Sequence, residues 1–145
     1  MADRISSRIA NAVAALPISG DMRVLEIGCG PGVAARLVSQ KLKTGMILAI
    51  DRSEKAIAAA IAGSEEEIAT GRLAFRCVAI EDFVLETGEP QFDLAFAMRV
   101  GALDGRHSEL EAQALGRLKA ALAPGAVLII DDATPLSAAD LPDFP

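Results

Sequence analysis

Glu26, Gly28, Gly30 and Gly32 form one run, and Asp51 follows further on, and these are the residues whose types and spacing suit chemistry. The three glycines come at alternate positions directly after the apolar stretch Val24-Leu25-Glu26-Ile27, so a short strand should break into a tight turn. Glycine reaches backbone angles closed to other residues and places no Cβ between the main chain and a ligand. A helix starting at Val33 would bring free N–H groups and a positive helix end above that turn. Glu26 is costly to bury in such a strand unless a donor or a cation meets it. A ligand bearing an ammonium or sulfonium group would do so.

The glycine spacing excludes a dinucleotide fingerprint. That pattern is G-x-G-x-x-G, and its third glycine packs helix against strand. Here Pro31 follows Gly30, and positions 33–35 are Val33, Ala34 and Ala35, so the pattern fails at its third glycine. Asp51 lies 23 residues after Gly28 and ends the apolar run Met46–Ile50. A carboxylate placed there can accept from ribose hydroxyls. Its competing duty is to cap the next helix, which Ser53 can do instead.

An acid two positions before G-x-G-x-G resembles the first motif of class I S-adenosylmethionine-dependent methyltransferases, and Phe92-Asp93 resembles the opening of their fourth motif. The resemblance covers residues 1–132. It implies S-adenosylmethionine as cofactor and a methyltransferase that moves the methyl group to a small-molecule acceptor by in-line displacement. The cofactor-binding residues it implies are Glu26, Gly28, Cys29, Gly30, Gly32, Asp51, Arg52, Ile80, Glu81 and Ala97. Family members often place an Asp against the adenine amino group where this chain has Ala79. Either the backbone near Ile80 with Glu81 or Asp82 takes over that contact, or the two acids face solvent.

The resemblance of Phe92-Asp93 also implies that Met98–His107 lines the transfer site, with Arg99 and His107 as substrate-side candidates. Arg99 either holds a substrate carboxylate or pairs with a nearby acid. His107 is either a base or a solvated residue ahead of a helix. No catalytic residue is assigned, because much of the catalysis of such a displacement comes from alignment. Two other classes compete: a non-catalytic cofactor-binding protein or partner subunit, and a nicotinamide-dependent oxidoreductase, which the glycine spacing and Glu26 disfavour.

With 145 residues the chain makes one domain over 1–145, and 52% hydrophobic with 23% charged residues is an ordinary globular balance. A net charge of −6, with 14 basic residues scattered among 20 acids, argues against a nucleic-acid partner. Five Phe with neither Trp nor Tyr leave little for base stacking. No apolar run is long enough for a bilayer, so no membrane association is expected. Cys29 and Cys77 have no metal-ligand spacing, so no metal is expected, and reduced thiols suit a cytoplasmic protein.

The elements that must position these residues follow from periodicity. Ile5, Ile9, Ala12 or Val13, and Leu16 predict a leading helix over Asp3–Leu16 that covers the sheet, so Arg4-Ile5-Ser6-Ser7-Arg8 belongs to the fold rather than to a targeting peptide. Further helices are expected over Val33–Leu42, over Ser53–Ile61 and after Ser108, with capping boxes at Ser64–Glu67 and Ser108–Glu111. Strands are expected at Val24–Ile27, Met46–Ile50, Leu73–Val78, Phe92–Ala97 and Ala126–Ile130. The fold class is therefore α/β, a doubly wound, mainly parallel sheet of about five strands with helices on both faces. Three prolines in Ala133–Pro145 argue against further strands, so the sheet is expected to be truncated after the fifth. A homodimer through that exposed edge is expected, with the tail folding over its own edge as the competitor.

Overall fold

The structure is a computed structural model that describes residues 5–145, so the expected helix start at Asp3 and the residue Arg4 lie outside the described residues. Five strands run parallel: β1 (Arg23–Ile27), β2 (Met46–Asp51), β3 (Leu73–Cys77), β4 (Phe92–Ala97) and β5 (Leu122–Ile130). With β6 (Leu136–Ser137) the spatial order is β3-β2-β1-β4-β5-β6. The order reverses at β1, so the crevice of the doubly wound sheet opens above its carboxyl end.

Strand alternation builds the layers. Leu25 and Ile27 point to the face covered by α5 (Glu111–Ala121), where Ala114, Leu118, Ile80 and Phe83 join them. Val24 points the other way, into a cluster with Val13 of α1 (Ser7–Ala15), Ala35 and Val38 of α2 (Val33–Ser39) and Ile57 of α3 (Glu54–Ala62). Glu26 shares the parity of Val24 and so sits on the α1 and α2 side. Ser6 caps α1 by accepting from the Ile9 N–H at 3.2 Å, and Ser53 caps α3 through the Ala56 N–H at 3.1 Å.

Several local expectations are overturned by tertiary partners. The capping box at Ser64, before α4 (Glu65–Ala69), does not form, because the fully buried Ser64 hydroxyl accepts from Arg36 Nη1 at 2.9 Å instead. The same Arg36 nitrogen donates to the Pro31 carbonyl oxygen at 2.9 Å, tying α4 to the first turn. At Ser108 a 3-10 turn over Ser108–Leu110 leads into α5 without a side-chain cap. The fifth strand starts at Leu122 rather than Ala126, because Leu122 pairs with Phe92 and the ladder slips before Leu94 meets Val127. Pro124-Gly125 fall within that slip. Asp93 lies at the amino end of the sheet, where its carboxylate accepts from the Arg23 N–H at 2.9 Å. It sets the entry of β1 rather than touching the crevice.

The tail corrects the expectation of a sheet truncated at its fifth strand. Leu136 and Ser137 pair antiparallel with Leu128 and Val127, and Ala138 and Leu141 beyond them are buried. Pro135 and Pro142 flank the paired residues, so neither removes a ladder donor. Val127 and Leu128 of the β5 edge are thus covered by the chain's own tail, the competitor to the expected homodimer.

Gly45, at the entry to β2, provides a test of this packing. A Cβ there would fall inside contact distance of the Met22 carbonyl oxygen, backbone against backbone. Gly45→Ala is expected to destabilise by roughly 1–3 kcal/mol, as overpacking usually does, and to lower the melting temperature by several degrees in a thermal unfolding scan.

Candidate functional site

The turn after β1 has three glycines with positive φ, at +71° for Gly28, +53° for Gly30 and +88° for Gly32. Space around them differs. A Cβ on Gly28 would lie 2.6 Å from Val100 Cγ2, and one on Gly32 would lie 3.0 Å from the Phe75 ring and 3.2 Å from Ala60, so these two positions serve close packing. A Cβ on Gly30 would have nothing within 4 Å, so this glycine presents bare main chain to the crevice.

The N–H groups of the glycine turn itself are satisfied within the protein, whereas the first turn of α2, whose Val33 and Ala34 border the crevice, has no side-chain cap. Gly28 and Cys29 both donate to the Ile50 carbonyl oxygen, at 2.8 and 3.0 Å, and Gly32 donates to that of Cys29 at 3.0 Å. Gly30 donates to Asp51 Oδ2 at 2.9 Å, and Pro31 has no N–H. With α2 only seven residues long, the turn is a self-satisfied ledge rather than a phosphate cradle.

Asp51 does not cap α3. Its Oδ1 accepts from the Ser53 N–H at 2.9 Å and its Oδ2 from Gly30, so it joins the ends of β1 and β2. Each carboxylate oxygen keeps a second lone pair for a ligand hydroxyl. Asp51 borders a cavity of about 200 Å³ together with Gly28, Arg52, Ile80, Glu81, Val100, Gly101 and His107. Glu81 does not face solvent: it is buried, lines this cavity, and its Oε2 meets Arg52 Nη2 at 2.7 Å. Asp82 is exposed, so the solvent alternative holds for that acid. The cation that neutralises Glu81 is therefore the expected cofactor-side residue Arg52.

Glu26 borders a second cavity of about 180 Å³ with Arg8, Gly28, Cys29, Gly30 and Met98. It is 3% exposed and its Oε1 has no hydrogen-bond partner. Burial, reinforced by the Asp51 charge, raises its pKa to about 8. The Cys29 thiol is pushed up to about 12, first by burial and then by Glu26 and Asp51. Cys29 is thus an inert part of the wall, its thiol donating to the Gly30 carbonyl oxygen at 3.6 Å.

The largest cavity, about 690 Å³, opens between α1 and the carboxyl ends of β4 and β5. Leu16, Phe96, Met98 and Ile129 form apolar walls, with Arg8, Arg99, Asp131 and Asp132 among the lining. Ala97, expected on the cofactor side, lines this cavity instead. His107, expected on the substrate side, lines the Asp51 cavity and not this one. Ala97 is placed by β4 itself, between Ile27 and Ile130, whereas His107 is carried by the segment after β4, which folds back over Gly28 through Val100. Arg8, Asn11 and Asp131 were not singled out as site residues in the sequence. The available signal for Asp131 was its place directly after a strand, whereas α1 gave none, because only the tertiary fold sets it beside β4.

Arg99 and Asp131 are the two non-glycine residues with positive φ among the described residues, at +56° and +52°. Such a conformation costs roughly 1–2 kcal/mol for a residue with a Cβ. The two are bonded to each other, the Arg99 N–H donating to Asp131 Oδ1 at 2.8 Å. Asp131 N–H in turn donates to the Ala97 carbonyl oxygen at 2.8 Å. The three cavities adjoin. Gly28 borders both small ones, Arg8 and Met98 border the largest and the Glu26 cavity, and Arg99 borders the largest and the Asp51 cavity. Two small compartments, one offering a hydroxyl acceptor and one a buried carboxyl, thus meet a larger one. Among the described residues no cluster of His, Cys, Asp and Glu could hold a metal ion, and no helix is long and apolar enough to cross a membrane.

The Glu26 environment has a sign that can be measured. A carboxyl that keeps its proton up to about pH 8 when folded, against 4.5 as its ordinary value, favours the folded state most at low pH and loses that contribution as pH rises through about 8. Glu26→Gln is expected to remove this dependence and to leave the protein more stable than wild type at pH 8, by up to about 5 kcal/mol at 1.36 kcal/mol per pH unit. Denaturant unfolding of both proteins at pH 5 and pH 8 measures the difference.

Comparison with known proteins agrees with this arrangement. Residues 18–143 match the methyltransferase domain family. The chain is 31% identical over 121 residues to a trans-aconitate 2-methyltransferase of Delftia acidovorans, covering 83% of this chain and 41% of that protein. It is also 31% identical over 131 residues to one of Methylobacterium nodulans, covering 89% and 45%. The chain therefore spans less than half the length of these curated relatives. Among solved structures it is similar to the [4+2]-cyclase SpnF, with a TM-score of 0.68 and 28% identity over 84% of this chain and 43% of that one. At 20% identity, the S-adenosylmethionine-dependent methyltransferase of Geobacter sulfurreducens, solved with S-adenosyl-L-homocysteine, shares the fold with a TM-score of 0.66 over 87% and 47% of the two chains. Because the family match takes in every strand and leaves outside it little more than the first helix, the chain belongs to the methyltransferase domain family.

Proposed function

We propose that this chain binds S-adenosylmethionine across its first turn and transfers the methyl group to a small-molecule acceptor held in the largest cavity. The observation that carries the proposal is the buried carboxyl of Glu26, which lacks a partner on Oε1 and faces a cavity beside the open Gly30. An ammonium group is the partner that such a carboxyl lacks. Asp51 would hold the ribose hydroxyls, and Ile80, which is buried, would give the base an apolar wall. When bound, the cofactor supplies an electrophilic methyl group on a positively charged sulfur.

The protein's own residues then orient and enclose. Gly28 and Val100 bring the segment after β4 down onto the turn. Met98 borders both the Glu26 cavity and the largest one, at the boundary that an acceptor must reach. Alignment of this kind supplies much of the rate in a displacement, and apolar walls keep water out. His107 sits on the Asp51 side, so it takes no part as a base. The relatives' name, trans-aconitate 2-methyltransferase, supports a small polycarboxylate as acceptor. Two free cysteines support a reducing, cytoplasmic setting.

A second use of the fold is raised by the likeness to a protein titled a [4+2]-cyclase, since one scaffold can host unrelated chemistry. Calorimetry with S-adenosylmethionine, S-adenosylhomocysteine and NAD, followed by transfer of labelled methyl to trans-aconitate, separates these readings. Binding of the two sulfur nucleosides but not NAD is expected, with label appearing in the acceptor. Asp51→Ala is expected to weaken S-adenosylhomocysteine at least about tenfold, the loss of one hydrogen-bonded charge. A folded protein with no affinity for either nucleoside would refute the cofactor site.

A further inference from the structure

Resting on the cofactor site above, we propose that Arg99 selects and positions the methyl acceptor by gripping a carboxylate where the largest cavity meets the Asp51 cavity, with Arg8 as a second cation across the opening. Arg99 borders both of these cavities. Its backbone is in the left-handed region, where glycine would be unstrained. That conformation is held from both sides: Asp131 Oδ1 accepts from the Arg99 N–H at 2.8 Å, and Arg106 Nη2 donates to the Arg99 carbonyl oxygen at 2.6 Å. Asp131 is itself in the left-handed region. A strained residue pinned through its backbone leaves its side chain to be used elsewhere, which is the pattern of a functional position.

The charges around the opening agree. Neither the Arg99 nor the Arg8 guanidinium makes a hydrogen bond or ion pair among the described residues. Asp131, which has committed one oxygen to the Arg99 backbone, and the exposed Asp132 are the opposing charges in the lining, and neither forms an ion pair with either guanidinium. A guanidinium offers two parallel donors to a planar carboxylate, which a lysine cannot. The volume of about 690 Å³ accommodates a small polycarboxylate with room to spare.

An ionised acceptor also suits the chemistry available. The residues lining the largest cavity include no His, Cys, Lys or Tyr. A carboxylate oxygen needs no base: its lone pair forms the new O–CH3 bond as the S–CH3 bond breaks, the sulfur keeps that bonding pair, and no proton moves. One carboxylate held by Arg99 would leave a second free to react.

The test uses protein loaded with S-adenosylhomocysteine and titrated in a calorimeter with trans-aconitate, citrate and benzoate, with trimethyl trans-aconitate as a neutral counterpart and cadaverine as a cationic one. At least one carboxylate is expected to bind, and the ester and the diamine to bind at least tenfold more weakly. Arg99→Gly suits the left-handed backbone, so its melting temperature is expected to equal or exceed that of wild type, while carboxylate affinity, measured with both proteins saturated with S-adenosylhomocysteine, falls at least tenfold. Arg99→Lys is expected to fall between the two. The proposal is overturned if Arg99→Gly binds the carboxylate as tightly as wild type, if the ester or diamine binds as well as the acid, or if no carboxylate binds. Wild-type protein that fails to bind S-adenosylhomocysteine at all sinks the cofactor site first, and this outcome is visible before any acceptor is added.

Discussion

The end of β2 holds the turn after β1, and the site is built outward from that grip. The Ile50 carbonyl oxygen takes two N–H groups of the turn and the Asp51 carboxylate takes a third. Left-handed glycines would otherwise be free to move, since glycine loses more conformational freedom on folding than other residues. Satisfying their N–H groups within the protein has a second effect. The glycines keep no N–H for a ligand, and what the turn presents is bare main chain at Gly30 between two carboxyl groups.

Those two carboxyl groups are held in different electrostatic conditions. Asp51 is hydrogen-bonded through both oxygens, whereas Glu26 is buried with Oε1 unpartnered and retains its proton to about pH 8. An unmet buried polar group costs stability, of order 1–3 kcal/mol where no charge is involved. A structure that keeps one next to a cavity trades stability for an interaction that is completed by something else. Arg99 and Asp131 show the same trade in the backbone, at the opposite side of the crevice. The two strained backbones and the unpartnered Glu26 carboxyl thus gather around the carboxyl ends of the strands, while at the amino ends the Arg23 N–H is met by Asp93 and the buried Arg23 Nε lacks a partner.

The enclosing parts of the crevice come from distant stretches of chain. Helix α1, the segment after β4 and the residues after β5 each contribute a wall to the largest cavity. None of them carries a motif. The tail adds β6 and buries Ala138 and Leu141 on the α5 face of the sheet, opposite the face that lines the cavity.

The parallel sheet, the first turn and the importance of Glu26 and Asp51 were determined by the sequence alone, because apolar runs of strand length, alternate glycines and acids at strand ends are local patterns. Partners that are far apart in sequence decided the rest. Ser64 was claimed by Arg36 rather than by its own helix, and Glu81 was paired with Arg52 rather than left to solvent. His107 was carried to the Asp51 cavity by a loop that packs Val100 on Gly28, and Ala97 was turned toward the largest cavity. A hydrogen-bonding side chain takes whichever partner the packed fold brings within about 3 Å, and no spacing along the chain records which partner that will be.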